Sequence, residues 1–140
     1  MPLITIEGKL DWTRVVTPEE YEGKKTWSTT VYPNAAGIQT VMEIKAEGVK
    51  NNLKKAEDGS WYIKFSRPVE IKKKDKVVKV LQPPVVTDME GNIIDGYTIG
   101  NGSEGIVTLD LYTHPMKGGT TSKAARLERI KITKLVKYEG

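Results

Sequence analysis

Aromatic residues recur beside basic ones in several segments that have the alternation of β-strands. Aromatic faces can accept unstacked bases and cations can follow phosphates, so the combination is typical of binding to single-stranded nucleic acid. Alternate residues of a strand share a face, which would place ring and cation side by side. The combinations are Trp12 with Arg14, Lys25 with Trp27, Tyr62 with Lys64, and Tyr112 with His114 and Lys117.

Positive charge is gathered in blocks. The net charge is +4, but residues 50–79 hold ten Lys or Arg against four acids, and residues 117–140 hold seven against two. Residues 80–116 hold five acids and no Lys or Arg. Such blocks favour an anionic partner, and solvated surface lysine is the alternative. We interpret Lys72 to Lys76 as a basic hairpin tip that contacts phosphate, because clustered lysines repel one another without a nearby anion.

The residues offer little to an enzyme. The chain has no cysteine and one histidine, which excludes Cys-ligated zinc and argues against a Ser-His-Asp triad or a site of several histidines. Asp88, Glu90 and Asp95 are close in sequence, so a metal-dependent nuclease is one alternative. Asp88 to Gly91 is also a turn in which Asp is expected for backbone reasons. We therefore expect no enzyme activity, no cofactor and no metal.

The elements that would position these residues are mostly strands. Strands are predicted over about residues 3–16, 26–32, 61–71, 77–81, 106–113 and 123–136, with a polar loop over 17–25. Asn34 is a suitable N-cap for one helix from Ala35, with Ile38, Val41 and Met42 on its apolar face. A bend or bulge is expected at Gly8, and a bulge between Leu127 and Ile130. The sum indicates an all-β fold with one helix, a small antiparallel β-barrel, in a single domain over residues 1–140.

Each aromatic residue also has a structural interpretation. Trp61 shares parity with core residues, and we predict that it is buried, whereas Tyr62 faces the other way and is the better stacking candidate. Tyr32, next to Pro33, is expected to pack on the helix. Trp12 could close a barrel end, and Trp27 could be core or surface.

Three segments carry a resemblance to a known family. They are Asp88-Met89-Glu90-Gly91, Ile99-Gly100-Asn101-Gly102-Ser103 and Leu127-Glu128-Arg129-Ile130-Lys131-Ile132. In this order, after a Trp27-containing strand and a Pro-Asn helix start, they resemble the single-stranded-DNA-binding proteins of tailed phages. The resemblance implies an OB-fold, here a five-stranded antiparallel barrel with an additional basic hairpin.

The resemblance also implies a function. Members of this family bind single-stranded DNA in phage replication and recombination without enzyme activity, and the positions matching their stacking residues are Trp27, Tyr112 and His114. Residues 134–140 are basic and depart from the acidic C-terminal tail common in the family, so recruitment of partners by a tail is unsupported here.

We therefore predict a sequence-tolerant single-stranded-DNA-binding protein of phage replication and recombination, acting in the cytoplasm of the infected host cell. The predicted partners are single-stranded DNA and replisome proteins such as a polymerase or helicase, with a homodimer as a candidate assembly and no membrane. An RNA- or protein-binding barrel is the alternative. The predicted nucleic-acid-binding residues are Trp12, Arg14, Lys25, Trp27, Tyr62, Lys64, Arg67, Lys73, Lys74, Tyr112, His114, Lys117, Lys123 and Arg126.

Overall fold

Strands dominate the structure, a computed structural model that describes residues 3–21, 24–49, 53–73, 76–95, 98–115 and 121–137. In chain order the elements are β1 (Leu3–Tyr21), β2 (Lys24–Pro33), α1 (Ala35–Ala46), β3 (Lys54–Lys55), β4 (Trp61–Pro68), β5 (Glu70–Lys73), β6 (Lys76–Val80), β7 (Val85–Thr87), β8 (Ser103–Pro115) and β9 (Thr121–Lys134). The predicted class, all-β with one helix, is confirmed.

The main sheet has seven strands in the order β3-β4-β2-β1-β8-β9-β7. Neighbouring strands pair antiparallel, except that β7 runs parallel to β9. The sheet curls until β4 reaches β9, where Arg67 of β4 donates to the Leu127 carbonyl at 3.4 Å and pairs with Glu128 at 3.2 Å. With seven strands, this sheet has more strands than the five predicted. The predicted basic hairpin is present as the separate pair β5–β6.

The core lies inside this curl and is built by alternation. Ile6 and Leu10 of β1 pack with Val31 of β2, Ile63 of β4 and Val107 of β8, and all of them are buried. The residues between them on each strand point outward. The inner and outer faces of the sheet thus follow directly from the period of two in the sequence.

The helix packs against this barrel. The Asn34 side chain accepts a hydrogen bond from the Gly37 amide at 2.8 Å, which confirms the predicted N-cap. Gly37 lies so close to β1 that an added Cβ would come within 3.0 Å of Ile6 and 3.1 Å of the Glu7 carbonyl. The buried face is formed by Gly37, Val41 and Ile44, while Met42 is exposed, so the predicted apolar face is rotated.

Two features of β1 differ from prediction. The strand continues to Tyr21, pairing Glu20 with Lys25 of β2, where a polar loop was predicted. Register is regular through Gly8 and shifts instead between Asp11 and Arg14. Gly8 is needed because β2 comes so close that an added Cβ would clash with the Tyr32 carbonyl.

The predicted bulge in the last strand is confirmed. Thr108 of β8 pairs with Arg129, while the next residue, Leu109, pairs with Leu127. Glu128 is therefore the extra residue, and the bulge brings it to the guanidinium of Arg67.

Candidate nucleic-acid interface

Outward side chains of three neighbouring strands form the surface that we call the tyrosine face: Lys9 of β1, Tyr32 of β2, and Tyr62 and Lys64 of β4. Lys9 pairs with Tyr32 across β1 and β2. Val31 pairs with Ile63 and Thr30 with Lys64 across β2 and β4, which sets Tyr32 beside Tyr62. These residues alternate with buried ones, so the whole set faces away from the core.

The two tyrosine rings of this face touch. Their centroids are 5.7 Å apart and the rings are inclined at 40°, and each residue is half-buried. The ammonium of Lys9 lies 4.7 Å from the centre of the Tyr32 ring, a cation–π contact. Burial raises the pKa of the Tyr32 phenol, with Asp11 and Asp58 acting in the same direction, so this ring stays neutral at physiological pH.

Charged residues continue the row on both sides. Lys54 of β3 pairs with Tyr62. On the other side Lys9 pairs with Glu104 of β8, which pairs with Lys134 of β9. The rings thus lie in a line of outward residues that crosses the sheet and is mainly cationic.

One acidic residue, Glu19, lies between Lys64 of the tyrosine face and the neighbouring Arg14. The Glu19 carboxylate lies 3.4 Å from the Arg14 guanidinium and 3.8 Å from the Lys64 ammonium, and it accepts a hydrogen bond from the Ser28 hydroxyl at 3.4 Å. Both cations are more than half exposed. Exposed pairs of this kind contribute little to stability, so both cations remain available to a phosphate.

Trp12 lies at the margin of the tyrosine face. It follows Asp11, which pairs with Thr30 of β2, and 63% of it is exposed. The register shift between Asp11 and Arg14 breaks the parity that would have placed Trp12 beside Arg14. The ring is accessible, as a stacking residue requires.

Trp27, predicted to stack on bases, is only 5% exposed. It lies on the inner side of β2 with Thr29 and Val31, and its indole N–H donates to the Val16 carbonyl at 3.3 Å. A buried indole has no open face for a base, so burial contradicts this prediction. The neighbouring Lys25 is exposed, opposite Glu20.

Arg67, predicted to contact phosphate, is committed to the fold. Its side chain is 12% exposed, and besides the contacts to β9 its Nε donates to the Gln82 carbonyl at 2.7 Å. Arg67 has the same parity on β4 as Ile63 and Phe65, and this alternation was the signal for an inward position. The guanidinium joins β4 to β9, so the prediction of a phosphate contact is wrong in this arrangement.

Three residues of the surface were not predicted: Lys9, Tyr32 and Lys54. Tyr32 was assigned to the helix, although its parity with Thr30 and its alternation with the buried Val31 indicate the outer face. Trp61, assigned to the core, is 37% exposed, and the Lys55 ammonium lies 5.9 Å from its ring. Trp61 is the first residue of β4, and at a strand end parity says little about burial.

A second aromatic cluster, here the Tyr112 group, lies on the outer side of β8 and β9. It consists of Asp110 and Tyr112 of β8 with Arg126 of β9, where Asp110 pairs with Arg126 and Tyr112 with Ala124. The Arg126 guanidinium carbon lies 4.3 Å from the centre of the Tyr112 ring. One side of this ring is therefore already covered. Lys123 is exposed but pairs with Thr113, so alternation places it on the other side of β9 from Arg126.

The binding roles of the exposed predicted residues stay predictions, and for four predicted residues the structure describes no side chain. Lys73 is paired with Lys76 in the β5–β6 hairpin and His114 with Ser122 across β8 and β9, but their side chains lie outside the described set. Lys74 and Lys117 lie outside the described residues altogether.

Asp88 and Glu90 of the acidic cluster lie in a turn that ends at Asn92. The Asp88 carboxylate accepts hydrogen bonds from the amides of Glu90 and Asn92, both at 2.9 Å. These bonds, that from Asn92 foremost, lower the pKa of Asp88. Within the described parts of the chain, no group of three or more His, Cys, Asp or Glu residues is placed to hold a metal ion, and no helix is long and apolar enough to cross a membrane.

Solved structures of other proteins have a similar fold. No protein-family profile and no curated protein sequence matches the chain. Among solved structures, the chain is similar to gp2.5, a single-stranded DNA binding protein encoded by bacteriophage T7, with a TM-score of 0.70 and 16% identity over 97% of this chain and 93% of that one. It is also similar to the single-stranded DNA-binding protein from bacteriophage Enc34 in complex with single-stranded DNA, with a TM-score of 0.62 and 14% identity over 99% and 89%.

The chain thus has the fold of phage single-stranded-DNA-binding proteins over nearly its whole length. This confirms, at the level of the fold, the resemblance inferred from the three sequence segments. Identities this low carry the fold and not the function.

Proposed function

We propose that this protein binds single-stranded DNA without sequence preference, by stacking bases on the rings of the tyrosine face and holding phosphates with the cations around it. The observation that carries the proposal is the Tyr32–Tyr62 pair, which lies between Lys9 and Lys54 on an open sheet surface. Neighbouring proteins of the same fold include two named for binding single-stranded DNA, which agrees with this choice of ligand.

Two tyrosine rings on a sheet suit an unpaired strand and not a duplex. A base stacks on a ring only when its own face is uncovered, and every base has such a face, so stacking tolerates sequence. Each stacked base contributes roughly 1–3 kcal/mol. Duplex DNA keeps its bases stacked on each other and would offer the tyrosine face only its phosphates.

The cations divide into two sets. Lys9 and Lys54 flank the rings in the row across the strands, and Arg14 and Lys64 share the Glu19 carboxylate. A phosphate that replaced Glu19 would gain two cations at once. With about three phosphates held, log K should fall with log salt at a slope of about −2, from about −0.7 per phosphate on single strands.

The experiment is a titration of fluorescein-labelled oligo-dT, followed by anisotropy and by quenching of tryptophan fluorescence over a range of salt. We expect submicromolar binding at low salt and steep weakening as salt rises. The double variant Tyr32→Ala/Tyr62→Ala should lose most of the affinity, while Tyr32→Phe/Tyr62→Phe, which keeps both rings, should retain it. Thermal melts of each variant verify folding.

Two results would overturn the proposal. One is the absence of oligo-dT binding by the folded wild-type protein at low salt. The other is a preference for structured RNA or duplex DNA in competition with single-stranded DNA of equal length. A preference for structured RNA would support the RNA-binding alternative.

The proposal also covers the biological role of the protein. We propose that it acts in phage replication and recombination in the host cytoplasm, that it contacts replisome proteins, and that it has no enzyme activity. Phage genome replication in cells carrying the double alanine variant would test the role, and sedimentation of the pure protein would test for the homodimer. Incubation of labelled single strands with the pure protein and Mg²⁺ should leave them uncut.

A further inference from the structure

The backbone at Trp12 is strained although the side chain is not buried. Trp12 has φ of 50°, and among the described residues no other non-glycine residue has a positive φ. Bulky side chains rarely adopt this region, where Gly or Asn would be at ease. The indole is 63% exposed, so burial does not compensate for the strain. Strain kept at an exposed aromatic residue is a feature of functional sites.

Three hydrogen bonds hold this conformation from across the sheet. The Trp12 amide donates to the Asn101 side-chain carbonyl at 2.7 Å. The Gly102 amide lies 2.9 Å from the Asp11 carboxylate and 3.0 Å from the Leu10 carbonyl, both of which accept from it. Asn101 and Gly102, with Asp11, thus form what we call the Trp12 clamp.

The clamp is itself anchored to the end of β9. The Gly100 amide donates to the Val136 carbonyl at 2.7 Å. The buried Ser103 hydroxyl donates to the Gly100 carbonyl at 2.8 Å and accepts from the Val136 amide at 2.9 Å. An added Cβ on Gly100 would lie 2.8 Å from the Val136 carbonyl. The Gly100-to-Ser103 segment therefore has a fixed position from which Asn101 can hold Trp12.

We infer that Asn101 is a positioning residue for Trp12, and that it holds the indole in place as a base-stacking platform at the margin of the tyrosine face. The inference rests on the proposed function, since it assigns one more stacked base to the same single strand. Asn101 acts through the backbone amide of Trp12 and does not itself contact the base.

A double-mutant cycle tests this inference, with oligo-dT affinity as the readout. Trp12→Gly removes the indole and suits a positive φ, so the protein should fold with an unchanged or higher melting temperature. Its affinity should fall roughly fivefold to a hundredfold, the equivalent of one stacked base. Asn101→Ala in the wild-type background should lower affinity about threefold to tenfold, as expected for one lost hydrogen bond.

The decisive arm is Asn101→Ala in the Trp12→Gly background, where affinity should change by less than about twofold because the indole is already gone. Asn92→Ala, which removes an exposed turn amide elsewhere, is the matched control and should bind like wild type. An undiminished effect of Asn101→Ala without the indole, or wild-type affinity in Trp12→Gly, would overturn the inference and leave the tyrosine face intact. Loss of the proposed function itself would be seen separately, as failure of the wild-type protein to bind.

Discussion

The tyrosine face and the Tyr112 group contain the same residue types, yet they differ in what is already bound. On the tyrosine face the two rings touch each other, and Glu19 is the carboxylate paired with the cations Arg14 and Lys64. In the Tyr112 group the ring is covered by Arg126, whose cross-strand partner is Asp110. Tyr32 and Tyr112 each have a cation over one side of the ring, at 4.7 Å and 4.3 Å. Among the described residues no cation lies over Tyr62, so a base can stack on that ring without opening a cation–π contact.

This difference shows that an aromatic residue two positions from a cation is an incomplete signal for a binding site. Both regions have the spacing that stacking and phosphate binding require. Cross-strand neighbours decide whether ring and cation turn toward a ligand or toward each other, and those neighbours come from distant parts of the chain. Arg67 joins the strands that carry the two regions.

The largest expected effect is on stability, from Arg67, which links the strand of Tyr62 and Lys64 to the strand of Arg126. Arg67→Met leaves Glu128 without its partner and removes donors from two carbonyls. We expect a loss of roughly 3 kcal/mol in the free energy of unfolding, measured by urea denaturation. The control Arg129→Met, on the exposed side of β9, should cost far less. Equal losses would show that Arg67 does not join the regions.

The comparison is sharpest between the two tyrosines. Tyr62→Ala should weaken oligo-dT binding by roughly tenfold or more, since it removes a ring worth about 1–3 kcal/mol per stacked base, while the salt slope stays unchanged. Tyr112→Ala should weaken binding less, because that ring already contacts Arg126. Anisotropy titrations at two salt concentrations distinguish the outcomes. A greater loss from Tyr112→Ala would reverse the ranking of the two regions.

The cations should differ in the same direction but by less. Lys64→Ala should reduce the magnitude of the slope of log K against log salt by about 0.7, the contribution of one phosphate. Lys45→Ala, at the end of the helix, is the control and should leave the slope alone. Arg126→Ala measures the Tyr112 group, and we expect a smaller change there. If Lys45 and Lys64 proved equivalent, the charge would act as a general field and not as a local site.

The smallest expected effect is a gain. Glu19→Gln removes the carboxylate that shares Arg14 and Lys64, and the surface bridges it breaks contribute about 0–1 kcal/mol to stability. Oligo-dT affinity should rise about twofold to fivefold at low salt, and the gain should shrink with added salt as screening increases. Glu57→Gln, in the turn before β4, is the matched control. Weaker binding by Glu19→Gln would show that this acid organises the site.

Much of the fold could be predicted because its signals are local. The Asn34 cap depends on residues three positions apart, the β5–β6 hairpin on a short segment, and the bulge at Glu128 on a change of parity within one strand. The extension of β1 to Tyr21 was missed because residues 17–21 have a polar, loop-like composition, and their strand structure comes from pairing with β2.

The candidate site was less predictable, because residue type and strand parity gave opposite indications for several residues. Arg67 and Trp27 were assigned to the ligand by their chemistry, although both have the parity of core residues. Tyr32 was assigned to the helix because Pro33 follows it, although it alternates along β2 with core residues. The sequence identified Trp12 as a stacking candidate. It could not predict the backbone conformation of Trp12, because that conformation depends on Asn101, 89 positions away.

The sequence by itself determined the class of fold, the alternation that separates core from surface, and the supply of aromatic and cationic side chains. The tertiary structure decided which of them are available. In the folded chain Trp27 is buried, and Arg67 joins β4 to β9. Arg126 covers one side of Tyr112, and Tyr32 contacts Tyr62. The physical reason is that strand periodicity is a property of one segment, whereas the partners of each ring and cation come from neighbouring strands that only the closed sheet brings together.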